Sequence, residues 1–203
     1  MKDSPFDPDF QHLSTAHKIV VALERISEAF RVLLWEESKS FGLSPTQIQI
    51  LIFLNYHDEG KRKVSYIARE FNMTKATVSD SVKVLEQKKL ITKEYLPHDT
   101  RSYIIHLSET GKAIAEKTAL FTQEIQKPVQ RLPPAHKEGL LRSLMDIIHH
   151  LNKSGVITIQ RMCFSCRYYS GKGNAHYCNL LQTPLTDSEL RVDCPEHELI
   201  EDN

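Results

Sequence analysis

Two apolar rhythms separated by a three-residue break constrain this chain more than any other feature. Val64, Ile67, Ala68 and Phe71 recur at helical steps, as do Val78, Val82 and Leu85, and Asn72-Met73-Thr74 stands between the two runs. Steps of three and four put such residues on one face of an α-helix. The spacing therefore predicts a short helix through Val64–Phe71, a tight turn ending in the cap residue Thr74, and a second helix from Lys75 to about Lys88. That is a helix-turn-helix.

With Val78 pointing inward and about 100° per residue, Ala76, Ser79, Asp80 and Lys83 face away from the core, flanked at the start by Lys75 and Thr77. A helix that enters the major groove needs short polar and basic side chains on that face and a narrow apolar strip behind it. Lys75 and Lys83 suit phosphates, while Thr77 and Ser79 suit base edges or sugar-phosphate oxygens. Asp80 repels phosphate, so it pairs with a neighbouring Lys or accepts from cytosine. Taken alone, the pair also reads as an ordinary helical hairpin with solvated charges.

Charge distribution favours the DNA reading. The whole chain balances 26 basic against 26 acidic residues, but Lys61–Ile105 holds ten Lys/Arg and five Asp/Glu, whereas Pro184–Asn203 holds seven acids and only Arg191. A basic middle between neutral or acidic ends is an electrostatic footprint for a polyanion.

Apolar residues at Ile19, Leu23, Ile26, Phe30 and Leu33 or Leu34 predict one long amphipathic helix over about Ser14–Lys39. Ser44-Pro45-Thr46-Gln47 carries a cap, a first-turn proline and a capping-box glutamine, so another helix starts there and ends near Tyr56. β-Branched and apolar residues over Leu90–Leu96 and Tyr103–Leu107 flank the polar loop Pro97-His98-Asp99-Thr100-Arg101, which predicts a two-stranded hairpin. Ser108-Glu109-Thr110-Gly111 opens a long helix that Pro128 should end or kink. Pro133-Pro134 starts a last one, with a stripe of Leu140, Leu144, Ile147, Ile148 and Leu151. Long striped helices flanking a small reading centre favour burial against a second copy, with packing inside one chain as the alternative.

The runs SPTQIQIL (Ser44–Leu51), VSYIAREFNMTKATVSDSVKVLEQKKLI (Val64–Ile91) and YLPHDTRSYIIHLSETG (Tyr95–Gly111) resemble the winged-helix core of the MarR family of transcriptional regulators. The resemblance extends over about Ser14–Leu151. It implies a homodimer that sets two recognition helices in successive major grooves of a pseudo-palindromic operator. It also implies that the wing arginine, matching Arg101, reaches the minor groove and that Asp99 orients it. A Leu-Glu pair closes the recognition helix before a Gly-Leu step in that family; here Leu85-Glu86 is followed later by Lys89-Leu90, so the glycine is missing. The resemblance further implies a cleft for small, often aromatic effectors between the dimer helices and the reading heads. Trp35, Phe30, Tyr56 and His17 are candidates to line it, or simply to pack in the core.

The expected fold class is thus mainly α with a small β-hairpin wing: a dimeric winged helix-turn-helix with a small C-terminal Cys-rich metal-binding module. The expected division is an N-terminal dimerisation helix (1–40), the DNA-binding domain (41–107), C-terminal dimerisation helices (108–155) and the tail (156–203).

All four cysteines lie in that tail: Cys163-x2-Cys166, then Cys178, then Cys194. The polar, acidic N-terminus has neither a secretory leader pattern nor a membrane span, which places the chain in a reducing cytoplasm where clustered thiols more often hold metal than form disulfides. The first pair has knuckle spacing, and four thiolates satisfy tetrahedral Zn²⁺ with no open position. His176 or His197 could replace one thiolate, since Cys194-Pro195-Glu196-His197 is itself a Cys-x2-His knuckle. An iron-sulfur cluster, shielded by Phe164, Tyr168, Tyr169 and Tyr177, and a metal-free thiol-disulfide switch are the alternatives. Gly171-Lys172-Gly173-Asn174 reads as a flexible turn.

Enzymatic signatures are missing: the chain has no phosphate-binding glycine loop, no nucleophile elbow and no His-Glu-x-x-His. His149-His150 beside Asp146 does not read as a second metal site, because adjacent helical residues diverge by about 100°; both read as polar-face residues. A regulator is expected, with a zinc-bearing protein-interaction adaptor as the other non-enzyme reading.

Overall fold

The computed structural model describes residues 4–96, 99–158, 160–173 and 175–200, with the backbone alone described at Leu96 and Asp99–Arg101. A four-residue helix α1 (Pro8–Gln11) leads into the long helix α2 (Thr15–Phe41). Gly42 ends α2 in the left-handed region at φ 60°, with its own N–H and that of Leu43 bonded back to Lys39 and Ser38. Helix α3 (Pro45–Tyr56) then begins with the capping box read from the sequence: Ser44 Oγ accepts from the Gln47 N–H, and Gln47 Oε1 accepts from the Ser44 N–H at 2.9 Å.

α3 is the central post of the head. Ile48, Ile50, Leu51, Phe53 and Leu54 are all buried, more faces than one stripe supplies, because α2, α5, α6 and the wing pack around it. Each fully buried aliphatic side chain of this kind contributes about 1.5–3 kcal/mol. Helix α4 (Val64–Glu70) buries Ile67 and Ala68, and helix α5 (Lys75–Gln87) buries Val78, Val82 and Leu85, the strips that their spacing predicts. Asn72 takes the left-handed conformation at φ 53° between them, and Thr74 Oγ1 caps α5 by accepting from the Thr77 N–H.

α5 ends in a Schellman turn made without glycine. Lys89 adopts φ 58°, its N–H bonds to the Glu86 carbonyl at 2.8 Å, and the Leu90 N–H bonds to the Leu85 carbonyl at 3.0 Å. The missing glycine therefore changes the residue and not the turn.

Strands β1 (Ile91–Leu96) and β2 (Asp99–Leu107) form the antiparallel wing, paired from Ile91↔Leu107 to Tyr95↔Tyr103, with an irregularity before Leu96↔Asp99. β2 begins earlier than the polar sequence suggests, because pairing resumes beyond that irregularity at Leu96↔Asp99. Lys93 Nζ bonds Glu86 Oε2 at 2.6 Å and lies 4.9 Å from the Tyr103 ring centre, which ties the wing to α5.

Ser108 caps α6 (Glu109–Thr118), a 3₁₀ turn follows over Ala119–Thr122, and α7 runs over Gln123–Gln130. The expected break falls at that 3₁₀ turn; Pro128 lies inside α7, where it removes the amide that would bond the Glu124 carbonyl, and the helix ends two residues later at Gln130. Helix α8 covers Pro134–Lys153.

The tail folds as β3 (Tyr169–Lys172), β4 (Ala175–Cys178) and β5 (Thr183–Leu185) in one antiparallel sheet ordered β3-β4-β5. Of the stretch read as a flexible turn, Gly171 and Lys172 end β3 and Gly173 follows at φ 63°, while Asn174 lies outside the described residues. A second core of Met145, Met162 and Leu190 joins the tail to α8, so the tail borrows apolar surface from that helix. This corrects the polar-face reading of His149: it is half-buried, its ring edge-on to Phe164 with centroids 6.1 Å apart, whereas His150 is exposed.

Candidate DNA interface and cysteine centre

Helix α5 presents the predicted face. Lys75, Thr77, Ser79, Asp80 and Lys83 are exposed, opposite fully buried Val78 and Val82. Thr77 Oγ1 lies 2.8 Å from Thr74 Oγ1, so the cap also orients the Thr77 hydroxyl. The side chains of Asp99 and Arg101 lie outside the described residues; their backbone places them on β2, past the irregularity that bends the wing.

Lys75 also lines a groove of about 230 Å³ with Lys63, Ser65 and Ser102, where the starts of α4 and α5 meet the wing. Two ammonium groups and two hydroxyls beside the recognition helix make an anion-favouring trough. Helical spacing does not single out Lys63 or Ser65; the only sequence signal for Lys63 is its membership of the basic run. Its place at the N-cap of α4 is what turns it towards Lys75's neighbourhood.

Between α2 and the head lies an open cavity of about 810 Å³, lined by Phe30, Trp35, Leu23, Gln49, Met73 and Phe121 among others. Two of the four cleft candidates are therefore brought together. Tyr56 is exposed elsewhere, and His17 sits with Nδ1 3.4 Å from the Phe10 carbonyl.

The four cysteines converge. Cys163, Cys166, Cys178 and Cys194 line one cavity of about 40 Å³, roofed by Leu180, Leu181 and Leu185. Cys163–Ser165 forms a single 3₁₀ turn in which the Cys166 N–H reaches the Cys163 carbonyl at 3.0 Å, and Cys178 pairs with Tyr169 across β3–β4. The Arg191 N–H donates to Cys163 Sγ at 3.2 Å; its guanidinium lies 3.6 Å from Cys194 Sγ and 2.9 Å from Glu196 Oε2. Cys194 itself donates to Glu196 at 3.3 Å. Burial raises the Cys163 and Cys194 thiols, Cys163 further through Cys166 and Cys178, and Cys194 through Glu196. Among the described residues no group of three or more His, Cys, Asp or Glu side chains is arranged to hold a metal ion.

The two histidine candidates are occupied elsewhere. His176, buried, is clamped between the Tyr169 hydroxyl at 2.6 Å and Asp187 at 2.9 Å, and His197 Nε2 lies 3.0 Å from Ser165 Oγ. Neither lines the thiol cavity.

Residues 41–102 match the model of the MarR family. The reading head is similar to the winged helix of the MarR family. An uncharacterised helix-turn-helix transcriptional regulator of Bacillus subtilis, YhbI, is 23% identical over 113 residues, covering 53% of this chain and 73% of YhbI. Staphylococcus aureus MepR, solved in complex with DNA, superposes with a TM-score of 0.58 and 26% identity over 65% of this chain and 97% of MepR. A MarR transcriptional regulator of Methanosarcina mazei shares the fold at 17% identity and a TM-score of 0.55, over 66% of this chain and 97% of that protein. The proteins that this chain is similar to are transcriptional regulators and not enzymes. Among the described residues no helix is long and apolar enough to cross a membrane.

Proposed function

We propose that the chain is a cytoplasmic, sequence-specific transcriptional regulator that binds double-stranded DNA as a homodimer on a pseudo-palindromic operator and carries a four-cysteine metal site in its tail. The observation that carries the DNA reading is the exposed polar and basic face of α5 in a head that resembles DNA-bound MepR. In this reading Lys75 and Lys83 meet phosphates, Thr77 and Ser79 meet base edges or sugar-phosphate oxygens, and Arg101, oriented by Asp99, enters the minor groove. Lys63 and Ser65 extend the phosphate contact. Exposed Ile19, Val20, Ile26, Val32 and Trp35 on α2, with Leu140 and Ile147 on α8, supply the apolar surface a second copy would cover. The cavity beside Phe30 and Trp35 would take a small aromatic effector.

Cys163, Cys166, Cys178 and Cys194 would hold the metal. Zinc is favoured over an iron-sulfur cluster because a cavity of about 40 Å³ suits one ion better than a multi-atom body. Binding would displace the thiol protons, and Arg191 would offset the negative charge of four thiolates around one dication. Loss of an ion that the tail needs in order to hold its loops would loosen the structure around it, which makes the site structural or sensory.

The test combines charge with stoichiometry. Substituting Lys83→Ala and Arg101→Ala together should lower retention on a DNA column and reduce the salt slope of dimer binding by about four, one for each of the two cations removed from each copy. Unchanged retention, or sedimentation as a single copy, overturns the regulator reading. Anaerobically purified protein should be colourless with about one zinc per chain; a brown sample with charge-transfer bands would favour a redox-sensing iron-sulfur regulator instead.

A further inference from the structure

A buried guanidinium stands between head and tail, outside both the DNA face and the thiol cavity. Arg161 is 7% exposed. It grips Asp193 with Nε and Nη2, both at 2.7 Å, and Glu70 with Nη1 at 2.6 Å and Nη2 at 3.2 Å; Nη1 also donates to the Tyr66 hydroxyl at 3.0 Å. Its Nη2 stands 3.0 Å from His57 Nε2, and His57 donates from Nδ1 to the Phe53 carbonyl. Burial opposes the charge on Arg161, but bonds to Asp193 and Glu70 outweigh it and hold the guanidinium firmly protonated.

The two ends of this clasp belong to different parts of the molecule. Glu70 and Tyr66 lie on α4, the first helix of the helix-turn-helix, and His57 follows the end of α3. Arg161 lies two residues before Cys163, and Asp193 directly precedes Cys194. Backbone bonds keep the pieces in step: the Cys194 N–H donates to the Arg161 carbonyl at 2.8 Å, and the Cys163 N–H to the Arg191 carbonyl at 3.0 Å. Thr158 bonds the Arg69 carbonyl, a second tie from the tail's approach to the end of α4.

We propose that binding of a thiophilic metal ion by the four cysteines controls the reading head through Arg161 and Asp193. This rests on the metal reading given above. With Cys163 and Cys194 drawn to one ion, the segments that carry Arg161 and Asp193 are fixed against each other, and the guanidinium between them fixes α4. Without the ion these segments are joined by backbone hydrogen bonds, the Arg161–Asp193 pair and the packing of Met162 with Leu190, and α4 loses the abutment that the ion would make rigid. Because α4 is joined to α5 by only the four residues Phe71–Thr74, its placement sets how α5 meets a groove. Arg161 is thus a positioning residue: it touches neither DNA nor the ion.

The experiment follows amide hydrogen exchange in the full-length protein, stripped by chelator and then titrated with Zn²⁺ alone. In the natural chain zinc should slow exchange both in residues 163–178 and, by about tenfold or more, in residues 64–71. In Arg161→Met, zinc should slow exchange in 163–178 only, with less than about a twofold change in 64–71. Asp193→Asn cuts the tail side while leaving Arg161 with Glu70, and should give the same pattern if Arg161→Met is too unstable to measure. Slowing confined to 163–178 in the natural chain, or undiminished slowing of 64–71 in both variants, overturns the proposal while leaving the metal reading intact. No slowing in 163–178 overturns both. The readout needs no DNA, so a failure of the DNA-binding reading cannot imitate either result.

Discussion

Gly111, in the first turn of α6, lies so close to Leu90 that a Cβ built on it would stand 1.9 Å from the Leu90 carbonyl oxygen. That oxygen also accepts from the Ser108 N–H at 3.0 Å, and Ser108 Oγ donates to the Lys89 carbonyl at 2.9 Å. The start of α6 is thereby sewn to the end of α5 backbone to backbone. Gly111→Ala should cost about 3 kcal/mol, the upper end of overpacking costs, because the obstacle is a carbonyl group and not a side chain that can swing away. Urea unfolding reads this directly, and a loss below about 1 kcal/mol would mean that the two elements are not so closely apposed.

Lys89 closes the same junction from the other side. A non-glycine residue in the left-handed region carries a penalty of about 1–2 kcal/mol, part of which glycine returns as extra freedom in the unfolded chain. Lys89→Gly should therefore stabilise by about 0.5–1 kcal/mol, while Lys89→Ala, which removes the same charge but keeps the Cβ, should not. Equal midpoints for the two variants in thermal or urea unfolding would show that the turn at φ 58° does not strain the native chain.

Such junctions mark where the sequence is legible and where it is not. The capping box at Ser44 and Gln47, the Thr74 cap and the buried strips of α4 and α5 are local: each partner lies within four residues, so spacing alone reveals it. The outward face of α5 follows from the same arithmetic. Arg161 gives no comparable signal, because Asp193 lies 32 residues away and Glu70 91, and an isolated arginine before a cysteine has no period. The tail sheet is invisible in the sequence because strands of three or four residues are too short to show alternation. The four cysteines are legible as a set because soft ligands at knuckle spacing have few other uses, whereas Arg191, the lone basic residue of the acidic end, carries no spacing signal that ties it to the two thiols it bonds.

His149 on α8 supplies the acid response expected of the second core. Its Nδ1 is buried without a hydrogen-bond partner among the described residues, and the ring meets Phe164 edge-on. Burial lowers its tendency to protonate below that of an ordinary histidine, Lys153 and His150 add to this, and Asp146 opposes it. The unfolded chain therefore binds this proton more readily than the folded one, so folding stability falls as pH drops through the ordinary histidine range near about 6.5 and stops falling below the depressed folded value. His149→Phe keeps the aromatic edge against Phe164 but cannot take up the proton. Comparing urea midpoints at about pH 7.5 and about pH 5.5, the natural chain should lose more stability than the variant. Parallel losses in the two proteins would place the acid sensitivity on other groups and remove His149 from the tail's attachment to α8.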